Sequence, residues 1–93
     1  METFGEVSFR EVGDVSIFTF LGEIDETNAD RLFKHIYELF LGKNLIFDFR
    51  GLEYGNSKFI GYVVSMFEYI EEKEGKMVIC ECLPIIKDIL ELA

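Results

Sequence analysis

Apolar and polar residues alternate from Phe4 to Phe9, with Val7 and Phe9 on one side, a period of two that predicts a strand. Gly13 and Asp14 supply a turn, and the run Val15-Ser16-Ile17-Phe18-Thr19-Phe20-Leu21 predicts a second strand. Two strands joined so closely form an antiparallel hairpin. The second is apolar on both faces and so belongs inside a sheet, away from its edge. Residues 22–26 form a polar turn, and Thr27 with Asp30 resembles a capping box with Asp in place of Glu or Gln. Ala29, Leu32, Phe33, Ile36 and Phe40 then recur at helical spacing, giving an amphipathic helix that Gly42 ends. Residues 44–49 are short, apolar and bounded by turn residues, the pattern of a buried parallel strand. A loop over 51–56 leads to a second helix over 57–74, stopped by Gly75. A last strand is predicted over 77–80, and Pro84 opens a short helix through Leu90, proline being well suited to a first helical position.

The predicted order is β-β-α-β-α-β-α, an α/β chain. After the hairpin, strands alternate with helices, which calls for crossover connections and a mostly parallel sheet of about four strands with helices packed against it. The chain is 93 residues long, the size of one domain, so residues 1–93 are read as a single unit. In such sheets sites lie where strands deliver the chain to helix N-termini. Residues 22–27 and 54–58 both meet that description and should share one end of the molecule.

Composition narrows the possibilities. With 49% hydrophobic and 15% aromatic residues, the chain is too apolar for a disordered tail. Its formal charge of −9 argues against nucleic-acid binding, which needs a basic face, and against an anionic membrane surface. The first residues mix charged and apolar positions unlike a secretory leader, and no apolar run approaches the roughly 20 residues of a membrane span. A cytoplasmic protein is expected. Cys80 and Cys82 are too close in sequence for an unstrained mutual disulfide, so they read as reduced thiols in or near the core.

Catalytic chemistry is sparse. His35 is the only histidine and lies beside the apolar stripe of its helix. Metal ligation would fall to carboxylates or the two thiols, none at recognisable spacing. Asp25, Glu26 and Asp48 are placed to meet near the strand ends, although an Asp in a turn more often serves local hydrogen bonding. Gly51 and Gly55 lack the Gly-Lys-Ser/Thr of a phosphate loop. The pattern does not predict an enzyme. Helix two is more informative: Phe59, Ile60, Val63, Val64, Phe67 and Ile70 form a core face, with Tyr62, Met66 and Tyr69 as a flanking stripe. That stripe reads either as peripheral core or as a partner-binding strip, Tyr and Met being enriched at interfaces. Ser57 is placed as an N-cap, and Lys58 in the first turn opposes the helix dipole, a local conflict at the predicted working end.

Strand 15–21, then Gly22-Glu23-Ile24-Asp25, a helix, Leu45-Ile46-Phe47-Asp48-Phe49, a loop, and Asn56-Ser57 opening a helix together resemble the STAS domain of bacterial anti-sigma factor antagonists. The Gly-x-Ile-Asp before helix one and the strand ending in Asp before the serine loop are the most specific parts. Residues 75–79 fit the family's fourth strand. The resemblance spans about residues 4–90. It implies a non-enzymatic switch without cofactor or metal, docking on an anti-sigma factor, often a serine kinase, until phosphorylation at the start of helix two blocks the contact. The docking surface it implies comprises residues 22–27, 54–58 and the exposed part of helix two, with Asp25, Thr27, Asn56, Ser57, Lys58, Tyr62 and Met66 as partner-binding residues. The family usually shows Asp-Ser-Ser/Thr-Gly where this chain has Asn56, Ser57, Lys58 and Phe59. Lys58 therefore stands at the usual phosphoacceptor position, and Ser57 is the alternative acceptor. Many members carry a further final strand and helix after the third helix, so the resemblance leaves the packing edge here bare, covered by a partner, or paired in a homodimer. Two other readings compete: a self-associating scaffold, and a small-molecule sensor with a pocket at the strand ends.

Overall fold

The computed structural model describes residues 2–80. The helix predicted over 84–90 and the Cys82 thiol lie outside the described residues. Seven elements follow one another: β1 (Glu2–Phe4), β2 (Val7–Val12), β3 (Val15–Ile24), α1 (Ala29–Leu39), β4 (Asn44–Gly55), α2 (Ser57–Glu72) and β5 (Lys76–Cys80). One sheet holds all five strands in the order β1-β2-β3-β4-β5. The first two pairings are antiparallel and the last two parallel, so the sheet is mixed, with five strands where about four mostly parallel ones were expected.

The extra strand comes from Gly5. The alternation across residues 4–9 reads as one strand, but Gly5 has φ +58° and opens a two-residue turn, with Phe4 paired to Val7. Gly13, φ +61°, does the same between Val12 and Val15. Two-residue hairpin loops need positive φ to match the strand twist, and glycine supplies it without steric cost. Further along, β4 does not stop at Phe49. Residues 51–55, expected as loop, continue beside Leu21–Ile24 with two register shifts. Leu52 is buried there, which anchors this glycine-containing stretch against the core.

Both helices cover one face of the sheet. Phe20, Phe47 and Phe49 meet Phe33 of α1 or Phe59 of α2, with Phe18 packed on Phe47 beside them, all fully or almost fully buried. Phe20 is the hub: its ring centroid lies 4.9 Å from Phe47, 5.1 Å from Phe49, 5.7 Å from Phe59 and 6.1 Å from Phe33, mostly edge-to-face. Such pairs contribute about 0.5–1.5 kcal/mol beyond area burial. β3 is central, as its two apolar faces predict. On its opposite face, away from both described helices, Ile17 is only half-buried and Leu21 is exposed.

Candidate functional site

The two segments singled out in the sequence lie side by side. Glu23 pairs with Tyr54 and Ile24 with Gly55, and the Asn56 N–H donates to the Ile24 carbonyl at 3.2 Å. Because β3 and β4 are parallel and each feeds a helix, both turns emerge at the same end of the sheet. The Asn56 side chain ties them again, its Nδ2 donating to Glu26 Oε2 at 2.6 Å.

Asn56, not Ser57, caps α2. Its Oδ1 accepts from the Phe59 N–H at 3.0 Å, the bond an N-cap oxygen makes to the third helical residue. Ser57 becomes the first helical residue, with an exposed side chain. The turn before α1 also differs from the capping box expected. Asp25 Oδ1 accepts both the Thr27 N–H at 2.9 Å and the Thr27 hydroxyl at 2.5 Å, which commits Thr27 to that turn. Asn28 takes the N-cap position of α1 without making a side-chain cap. Instead its Oδ1 accepts from the Asp25 N–H at 2.9 Å and its Nδ2 donates to the Glu23 carbonyl at 3.0 Å. This buried amide pins the turn from within. The Thr27 hydroxyl and N–H hold the Asp25 carboxyl below its ordinary range.

Lys58 is not a loose cation against the helix dipole. Its Nζ donates to Asp30 Oδ2 of α1 at 3.0 Å, and the Tyr62 hydroxyl donates to the other oxygen of the same carboxylate. The Tyr62 ring lies flat on Phe33, 4.7 Å between centroids and 8° from parallel, which fixes the hydroxyl in place. Asp30 thus clasps the first turns of both helices together. The Tyr62 hydroxyl, then Lys58, lowers its pKa, while the same bond and burial raise that of Tyr62. The conflict seen in the sequence is resolved by a carboxylate 28 residues away.

Not every residue singled out reaches this surface. Met66 is completely buried and has nothing to offer a partner. The stripe it shares with Tyr62 and Tyr69 faces α1: Tyr69 packs edge-on against Tyr37 and Phe40. Peripheral core is therefore its role. Asp48 sits mid-strand on the open face, forming a two-pronged pair with Arg50 (2.9 and 2.7 Å), and does not join Asp25 and Glu26. Arg50 holds the Asp48 carboxyl below its ordinary range. His35 is exposed beside the Phe4 ring. Sequence reasoning missed Asp30 as the partner of Lys58, and the acidity of the surface as a whole. Glu23, Glu26, Asp30 and Glu53 are all exposed, as is Tyr54, the strand neighbour of Glu23. Among the described residues no three His, Cys, Asp or Glu side chains group as metal ligands, and no helix is long and apolar enough to cross a membrane.

Comparison with known proteins agrees on the architecture. The anti-sigma factor antagonist SpoIIAA in its unphosphorylated form superposes with a TM-score of 0.78 at 15% identity, covering 94% of this chain and 83% of that one. The Bacillus cell fate determinant SpoIIAA in its phosphorylated form gives 0.73 at 16% identity, over 92% and 81%. The crystal structure of Mglu gives 0.72 at 11% identity, over 85% of this chain but only 20% of that one. No curated protein matches the sequence. The family model described as the STAS domain matches residues 6–93, and the chain belongs to that family.

Proposed function

We propose that the protein is an anti-sigma factor antagonist-like module that regulates transcription by docking, without catalysis, in the cytoplasm. The observation that carries this reading is the single exposed surface formed by the two strand-to-helix turns, 22–27 and 54–58, held together by the Asn56–Glu26 and Lys58–Asp30 bonds. The fold likeness to SpoIIAA supports it. Asp25, Thr27, Asn56, Ser57 and Lys58 form the contact surface, and Tyr62 acts through Asp30. The partner is an anti-sigma factor of the serine-kinase type.

Lys58 at the usual acceptor position removes the hydroxyl, and its ion pair with Asp30 makes the position part of a fixed surface. The complex therefore persists where phosphorylation would dissolve it in other members. The test is to mix the protein with the anti-sigma kinases of its genome and measure complex formation with and without ATP. A complex insensitive to ATP is expected, becoming ATP-sensitive in Lys58→Ser. Absence of a complex with every such kinase removes the reading. Phosphate on Ser57, seen by intact mass, removes only the claim of insensitivity.

A further inference from the structure

On the face that the helices cover, successive rows of the sheet differ in kind. Phe9, Phe18 and Phe47 share one row across β2, β3 and β4, and all three are buried. The next row, toward the start of β3, reads Glu11, Ser16 and Leu45. Strand alternation puts Ser16 on the same face as Phe18 and Phe20, a core position that calls for an apolar residue. α1 ends at Leu39, and the loop after it comes back toward the β2–β3 turn, where a Cβ on Gly42 would lie 3.8 Å from the Asp14 carbonyl oxygen. Between the turn and the loop is a cleft of about 460 Å³, lined by Glu11, Asp14, Ser16, Leu41, Lys43 and Asn44 with a glycine from each side.

Ser16 is only 5% exposed, yet its hydroxyl has no hydrogen-bond partner among the described residues. A buried polar group without a partner is destabilising, and folded chains keep few of them. This one faces the cleft, and the groups beside it set the sign of an occupant. Glu11 is its direct cross-strand neighbour. Asp14 Oδ2 accepts from Asn44 Nδ2 at 3.3 Å, which leaves Oδ1 for another donor. The last turn of α1 carries no basic residue, so the negative end of that helix, two residues before Leu41, adds to the two carboxylates. Lys43 is exposed and forms no ion pair with either of them. Leu41, 85% exposed, supplies apolar surface.

We infer that this cleft binds a small molecule through a primary ammonium group. Such a group has three N–H donors and no acceptor, and the cleft offers three matching acceptors in Ser16 Oγ, the Glu11 carboxylate and Asp14 Oδ1. Leu41 covers the attached carbon chain. The cleft volume falls within the roughly 300–1,000 Å³ of small-molecule sites. A ligand that also carries a carboxylate, such as a free amino acid, gives Lys43 a partner as well, whereas a simple diamine does not. The cleft lies at the start of β3 and the docking surface at its end, so neither reading depends on the other.

The test is an NMR titration of the isotope-labelled intact chain with putrescine and, separately, with glycine at matched ionic strength. Saturable amide shifts are expected at Gly13, Ser16, Gly42 and Asn44, half-complete at or below about 10 mM, the weak end of specific affinity. Tighter binding of glycine assigns Lys43 to the ligand's carboxylate, and tighter binding of putrescine leaves Lys43 outside the contact; either result supports the ammonium site. Ser16→Ala should weaken binding by about tenfold, the loss of one hydrogen bond to a charged group, without lowering the urea midpoint, since it removes an unsatisfied hydroxyl. Glu11→Gln, at an exposed side chain, should also weaken putrescine binding and decides the matter if circular dichroism shows Ser16→Ala to fold poorly. No saturable shift with either probe overturns the proposal, as do equal shifts with sodium acetate or binding indifferent to both substitutions.

Discussion

Asn56 is where the local and tertiary demands on the candidate surface meet, and changing one atom of it separates them. Its Oδ1 caps α2 through the Phe59 N–H, while its Nδ2 donates to Glu26. Asn56→Ala removes both; loss of an N-cap alone costs about 1 kcal/mol. At a urea slope of about 1 kcal/mol/M that moves the midpoint down by about 1 M. Asn56→Asp, the residue the wider family usually shows here, keeps the capping oxygen. It also gains about 0.3–1 kcal/mol from placing negative charge at a helix N-terminus. Against that, it exchanges an N–H donor 2.6 Å from Glu26 for a second carboxylate. Two like charges about 4 Å apart in water repel by about 1 kcal/mol. The terms nearly cancel, so Asn56→Asp should match the wild type in urea melts at neutral pH. The informative quantity is its coupling to Glu26→Gln. Glutamine still accepts from Asn56, so that substitution is near neutral in the wild type, yet it should stabilise Asn56→Asp by about 1 kcal/mol. An equal effect of Glu26→Gln in both backgrounds refutes the reasoning, because the two side chains would then not face each other.

Three further outcomes follow from the same geometry. Met66→Ala should cost about 2–5 kcal/mol in urea melts, whereas Ser65→Ala, one residue earlier and exposed, should stay within about 0.5 kcal/mol; a harmless Met66→Ala would return that side chain to the surface. Asp25, Asp30 and Asp48 all have folded pKa values below 3.8, so the folded state binds their protons less readily than the unfolded chain. Their contribution is present above that value and is lost as pH falls through the folded pKa values; urea melts from about pH 7 to about pH 2 should show it, and Arg50→Met should shrink the loss. Tyr62→Phe removes the first cause of the low Asp30 pKa, so the Asp30 carboxyl, followed by carbon NMR, should titrate at higher pH; an unmoved titration contradicts the clasp.

Periodicity in the chain was a sound guide wherever burial was decided within one element. The spacing of Leu32, Phe33 and Ile36 and of Phe59, Val63 and Ile70 places those side chains in the core, where they are. Apolar residues on both faces of 15–21 marked a central strand, and parallel order followed from strands alternating with helices. Even the meeting of 22–27 with 54–58 was implied, since parallel neighbouring strands deliver their turns to one end. What period counting could not resolve was a choice between two local solutions of similar energy. Asn56 and Ser57 both make good caps, and the contact with Glu26, 30 residues away, accompanies the choice of Asn56. Met66 sits on a helical flank whose exposure depends wholly on where α1 lies.

By itself, then, the amino-acid order determined the element types, the faces they bury and the end of the sheet at which the helices begin, because these depend on spacings of a few residues. Tertiary structure alone decided that β4 extends through its glycines, that Lys58 is paired with Asp30, and that Asn56 rather than Ser57 caps α2. Each of those involves residues brought together from some 28 positions or more apart, and no short-range pattern encodes such distances.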